Sequence, residues 1–255
     1  MKHTKESYTD LMKLGYGYRE SVQTLTKDWV LLTSLYENNY IQSKKKTTSI
    51  PKKIHQIWLG GNLPDKYKKF AESWAKMNPD WEYKLWLDAD AFDLKMVNRS
   101  VFDATTNLGM KSDIMRYEIL NQFGGLYVDT DFECIKPFDD LMYLDFFTGI
   151  SYDIKAELYI GILASTPGHP IMQECVKGIK TPYNGNKPFT IFELTGPYYF
   201  TRNFFKVAEQ NPDGIVAFPM AYFYPFPNNK RNETNPYQYV RECSYAIHHW
   251  GVSWF

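Results

Sequence analysis

Two runs place paired carboxylates directly after apolar stretches: LYVDTDF, with Asp129 and Asp131, and YKLWLDADAF, with Asp88 and Asp90. Carboxylates two residues apart share one side only where the backbone stays extended, because a helix turns such positions apart. On one face they repel unless a cation or a donor lies between them. Their hard oxygens suit Mg2+ or Mn2+, ions that complete their shells with substrate phosphates. After Asp90 the run AFDLKMV reads as helix, so Asp88 or Asp90 has a structural use as an N-cap. After Asp131 comes FECIKPF, where Pro137 closes off any helix that could be capped. Asp129 and Asp131 are therefore the candidate metal pair, with a solvated strand end as the other reading.

The elements that must position these acids follow from periodicity. KIHQIWL (53–59) reads as a buried strand ending at Gly60-Gly61, and DKYKKFAESWAKM (65–77) as an amphipathic helix stopped by Asn78-Pro79. WEYKLWL (81–87) is a second strand, SDIMRYEILNQF (112–123) a helix closed by Gly124-Gly125, and LYVDTDF a third strand. Strands alternating with helices predict an α/β fold with a mainly parallel sheet, and such sheets bind ligands at the carboxyl ends of their strands. Further on, DFFTGISY and LYIGILAS read as strands, and helices are expected over 170–177 and from Thr195-Gly196-Pro197 to Val207. AFPMAYFYPFP is too proline-rich for a central strand, and SYAIHHW reads as the last strand. Residues 1–45 are expected to form a helical N-terminal extension, interrupted around Gly15–Gly17 and joined by the linker KKKTTSIP to a main domain over 50–255.

The chain of 255 residues is 44% hydrophobic and 23% charged, values that allow a sizeable core. Lysine plus arginine equals aspartate plus glutamate at 29 each, which gives no support for nucleic-acid binding. Aromatic residues reach 17%, a content that serves either a core or stacking on bases and sugars. Three distant cysteines form neither a disulfide framework nor a zinc motif. With no apolar leader and no long apolar run, a cytoplasmic protein is expected, at most peripheral on the inner face of a membrane.

SDIMRYEILNQFGGLYVDTDFE resembles the signature of the family 32 glycosyltransferases, which have the Rossmann-like GT-A fold, and that of the clostridial glucosylating toxins. IPKKIHQIWLGG, WEYKLWLDAD and YAIHHWGVSW resemble the family's first strand, second strand and C-terminal ending, in the same order. The resemblance implies that Asp129 and Asp131 hold Mn2+ or Mg2+ on the diphosphate of a nucleotide-sugar, UDP-sugar ahead of GDP-sugar. It implies His248 as a further ligand, with His249 second, since successive strand residues face opposite ways. Asp113 and Arg116 would hold the donor's ribose and sugar, although residues three apart also make an ordinary intrahelical ion pair. Trp58 would stack on the base, where the residue alone reads as core. Ser253 and Trp254 would close over the phosphates as a flap, and Glu157 stands for a residue near the reacting carbon. The implied reaction is transfer of a hexose, with retention, to a glycan or lipid-linked acceptor in surface-polysaccharide synthesis. A silent nucleotide- or sugar-binding relative is the non-enzyme alternative. A D-x-D phosphatase is the rival enzyme, but it wants Thr or Val where this chain has Glu133.

Overall fold

The structure, a computed structural model, describes residues 6–13, 26–45, 47–152, 157–179 and 190–251, with residues 151 and 152 as backbone only. Strands β1 (Lys53–Ile57), β2 (Glu82–Trp86), β3 (Gly125–Val128), β5 (Phe146–Tyr152), β6 (Glu157–Ser165) and β7 (Ile215–Phe218) form one sheet in the order β2-β1-β3-β6-β5-β7. β1 runs parallel to both β2 and β3, and β5 parallel to β7, whereas β6 is antiparallel to its neighbours β3 and β5. The sheet is thus mainly parallel with one reversed strand. A separate two-stranded ribbon pairs β4 (Phe132–Cys134) with β8 (Ala246–His248), Phe132 opposite His248. Proline-rich 217–227 contributes only the end of β7, an edge strand that stops at Pro219.

Helix α3 (Asp65–Met77) has the bounds its apolar spacing predicts and buries Tyr67 and Trp74. Between β2 and β3 lie the short helices α4 (Asp88–Asp93) and α5 (Arg99–Ala104), then α6 (Leu108–Phe123). The last starts four residues earlier than expected, because the Asn107 side chain accepts from Met110 N–H and caps it. Every residue from Ser112 to Leu120 is buried, as befits a helix covered all round. Gly124 and Gly125 then turn the chain back into the sheet with φ of 62° and 97°. A Cβ on Gly125 would meet Lys53 O at 2.7 Å, so only glycine lets β3 enter beside β1.

After β6 come α7 (Pro170–Gly178), the single turn α8 (Ile191–Leu194) and α9 (Pro197–Ala208), which packs on β6. At the other end of the chain, α1 (Tyr8–Lys13) and α2 (Lys27–Tyr36) share the core of the sheet. α2 packs on β7, burying Trp29, Leu32, Leu35 and Tyr36, and Tyr36 Oη meets Tyr222 Oη at 2.9 Å. The expected break around Gly15–Gly17 lies outside the described residues. Much of the aromatic content is core: Phe138 stacks with Phe147 and Phe223, and Phe146 with Phe200. Cys134, Cys175 and Cys243 are free thiols, the first two buried. Among the described residues no helix is long and apolar enough to cross a membrane.

Candidate active site

β3 ends at Val128, and one more ladder bond, Asp129 N–H to Gly161 O at 2.8 Å, anchors the first acid to β6. The chain does not stay extended through the D-x-D, as its spacing predicted. Asp129–Phe132 is a tight turn closed by Phe132 N–H to Asp129 O at 3.1 Å. The turn exists because Phe132 must enter the β4–β8 ribbon rather than continue β3. That pairing brings His248 to the acids from the far end of the chain. Donor atoms of Asp129, Asp131 and His248 all lie within 4.8 Å of one another.

Each ligand is held from behind. Asp129 Oδ1 accepts from Tyr127 Oη at 2.6 Å and lies 3.2 Å from Arg116 Nη1. Asp131 Oδ2 accepts from Gly251 N–H at 2.6 Å, while Oδ1 is 3.1 Å from His248 Nε2. Burial pushes the Asp131 carboxyl up, but His248 and the Gly251 amide together hold it below its ordinary value. His248 is 8% exposed, its ring packs against Phe132 and Trp250, and its Nδ1 is buried with no partner among the described residues. Two carboxylates with an imidazole make a mixed hard and borderline donor set that fits a divalent ion such as Mn2+ or Mg2+. Gly161 leaves room for the Asp129 carboxylate: a Cβ there would stand 2.9 Å from Asp129 Oδ2.

His249 faces away, its Nε2 2.9 Å from Glu133 Oε2 and its ring stacked on Phe70. The second D-x-D lies apart from this cluster and is not a helix cap in the expected way. The N-cap position is Leu87; Asp90 reaches back to Leu87 N–H at 2.9 Å, and Asp88 accepts from Gly60 N–H at 3.1 Å. Asp88 thereby ties the end of β2 to the turn after β1, while Asp90 holds the start of its own helix.

Asp113 and Arg116 form the intrahelical ion pair at 3.1 Å, and they also line the cavity beside the cluster. Arg116, 3% exposed, spends its donors on protein: Ser112 O and Oγ, Ile160 O, Asp113 and Asp129. Its guanidinium lies over the Tyr127 ring at 4.5 Å. Asp113 also accepts from Thr195 Oγ1 at 2.9 Å, and burial pushes its carboxyl up to about 6 against the pull of Arg116. The cavity, about 420 Å3, runs from Ile57, Asn107 and Gly109 past the three candidate ligands to Tyr159, Phe192, Arg231 and Trp250.

Trp58 follows Ile57 at the end of β1, with its ring 5.5 Å from Tyr67. Glu157 is the first residue of β6, paired with Tyr152, and is not among the residues that line the cavity; its strand enters the cavity only from Tyr159 onward. Ser253 and Trp254 lie outside the described residues. Sequence reasoning missed Tyr127, Gly161, Arg231 and Trp250. Only Tyr127 carried a local signal, two residues before Asp129 on an extended strand.

A mainly parallel sheet with one reversed strand, flanked by helices and carrying a D-x-D at a strand's carboxyl end, defines a GT-A α/β domain. Residues 64–147, about a third of the chain, match the family described as "Glycosyltransferase sugar-binding region containing DXD motif". It is 27% identical over 194 residues to inositol phosphoceramide mannosyltransferase 1 of Schizosaccharomyces pombe, covering 71% of this chain and 59% of that protein. It is 28% identical over 213 residues to the uncharacterized glycosyltransferase L373 of Acanthamoeba polyphaga mimivirus, covering 77% and 83%. Of a second inositol phosphoceramide mannosyltransferase from the same yeast it spans 47%, so it covers about half the length of the first curated relatives it matches. Among solved structures, the PaToxG glycosyltransferase superposes with a TM-score of 0.52 at 22% identity, over 73% of this chain and 80% of that one.

Proposed function

We propose that this chain transfers a hexose from a nucleotide-sugar to a hydroxyl of a saccharide or lipid-linked acceptor, using a divalent ion held by Asp129, Asp131 and His248. The observation that carries the reading is the convergence of those three side chains, from two distant segments, at the wall of one cavity. The bound ion would supply Lewis-acid stabilisation of the diphosphate leaving group. Tyr127 and Arg116 hold the Asp129 carboxylate in one orientation, and Gly251 does the same for Asp131. Asp113, Asn107 and Gly109 offer polar groups to the donor along the start of α6. Trp58, beside Ile57, is the candidate platform for the base, with UDP preferred over GDP.

Retention is the stereochemical proposal. Among the described residues the cavity's carboxylates are all engaged: Asp113 by Arg116 and Thr195, Asp129 by Tyr127 and Arg116, Asp131 by His248 and Gly251. With no free nucleophile among these described groups, retention would proceed by attack on the face the diphosphate leaves, with a phosphate oxygen taking the acceptor's proton. The similarity to inositol phosphoceramide mannosyltransferases supports a lipid-linked acceptor ahead of a polysaccharide chain.

Thermal unfolding with UDP or GDP, each with and without Mn2+, tests the site. Nucleotide at about 100 times its dissociation constant stabilises by about 2.7 kcal/mol, a midpoint rise of about 5–10 °C for a chain of this size. The expected result is a rise with UDP that requires Mn2+ and disappears in Asp131→Ala. A rise of equal size without Mn2+, or one retained in that variant, would refute the metal assignment. A shift with no turnover on any donor would favour a silent binding protein instead.

A further inference from the structure

We propose that Arg231 is the residue that grips the donor's diphosphate and balances its charge as it departs; this rests on the nucleotide-sugar reading above. Among the described residues the cavity lining contains two permanent cations, Arg116 and Arg231. The resemblance assigns the donor to Arg116, but that guanidinium is buried and its five N–H groups already meet Ser112, Ile160, Asp113 and Asp129. A phosphate oxygen would have to displace a carboxylate or a carbonyl to reach it. Arg231 is exposed, and its side chain makes one bond among the described residues, Nη1–H to Asn228 Oδ1 at 3.2 Å. Most of its planar fork is free for the paired oxygens of a phosphate.

Charge leads to the same residue. Asp113, Asp129 and Asp131 are cancelled by Arg116 together with one divalent ion, which leaves the two negative charges of a diphosphate diester without a counter-charge. Among the described residues, Arg231 is the cation the cavity has left. Its neighbour Lys230 is committed to Glu233 at 3.1 Å and does not line the cavity. The loop that carries Arg231 is tied to the candidate metal strand, because Trp250 Nε1–H donates to Phe226 O at 2.8 Å. Trp250 does this in the left-handed conformation, with φ of 53°, two residues after His248. A non-glycine residue held there marks a constrained position.

In the transfer step the bond between the anomeric carbon and the diphosphate oxygen breaks, and its electron pair stays on the phosphate. The acceptor oxygen bonds the same carbon and its proton passes to a phosphate oxygen. Arg231 donates hydrogen bonds to the oxygens that gain charge, an electrostatic contribution that acts most strongly in the transition state.

The test is calorimetric titration of inorganic pyrophosphate into wild type, Arg231→Gln and Arg231→Lys in saturating Mn2+, with Mn2+ alone as the control. Arg231→Gln is expected to bind pyrophosphate about 10- to 100-fold more weakly, Arg231→Lys to fall between, and all three to bind Mn2+ alike. Equal pyrophosphate binding by wild type and Arg231→Gln would overturn the proposal while leaving the nucleotide-sugar reading intact. If mannose 6-phosphate binding then fell in the variant, Arg231 would belong to an anionic acceptor. Failure of the wild type to bind pyrophosphate with Mn2+ would overturn the nucleotide-sugar reading, and this inference with it.

Discussion

Replacing Gly161 by alanine adds one methyl group behind the candidate metal cluster without changing any ligand residue. The added Cβ would stand 2.9 Å from Asp129 Oδ2, 3.1 Å from a Phe132 ring carbon and 3.3 Å from Tyr224 Oη. Carbon and oxygen in contact normally stay beyond about 3.3 Å, so the carboxylate must yield by a few tenths of an ångström. It cannot swing freely, because its other oxygen is held by Tyr127 at 2.6 Å and Arg116 at 3.2 Å. Overpacking costs about 1–3 kcal/mol, and the stiffer unfolded chain returns about 0.4–1 kcal/mol of that. The melting temperature should therefore fall by only about 2–8 °C. Displacing a ligand through its support typically weakens metal binding about 10- to 100-fold, and that is the expected loss in Mn2+ affinity by calorimetry at pH 7. Wild-type Mn2+ affinity in Gly161→Ala would refute the inference that the backbone of β6 sets the position of Asp129.

Two further predictions concern stability. His169 caps α7, its Nδ1 accepting from Ile171 N–H at 3.2 Å, and burial lowers its pKa from 6.5 to about 4. The unfolded chain therefore takes up the proton first, so this contribution is fully present above about pH 6.5 and is lost as pH falls toward 4. Urea unfolding of wild type should lose about 2 kcal/mol more between pH 7 and pH 5 than His169→Asn, which keeps a capping acceptor but does not titrate. Equal losses would mean that His169 is not held neutral. Leu32 in α2 is fully buried, so Leu32→Ala should cost about 2–5 kcal/mol in the single global transition. A separate early transition, with the main one unmoved, would show that the N-terminal helices are a detachable unit.

Local pattern was enough for most of the sheet and for α3, because strand alternation, helical spacing and the Gly-Gly and Asn-Pro breaks are written within a few residues. That a helix runs on from Asp88 and Asp90 and none follows Asp129 and Asp131 was also legible, since it is a neighbouring fact. Alternation along one strand set His248 and His249 on opposite sides, but only the family resemblance put His248 first. The sequence could not say that the chain turns through the D-x-D, because that turn is imposed by pairing Phe132 with His248, 116 positions away. Nor could it say that Arg116 is consumed by Asp113, Asp129 and Ile160, that Glu157 falls outside the cavity lining, or that α1 and α2 share the core of the sheet. Each of these depends on which distant backbone supplies a partner. What the sequence by itself determined was the set of elements and the chemistry of the acids. Only the tertiary structure decided which donors meet and which cation is left free, because a buried polar group binds whatever the fold brings within about 3 Å.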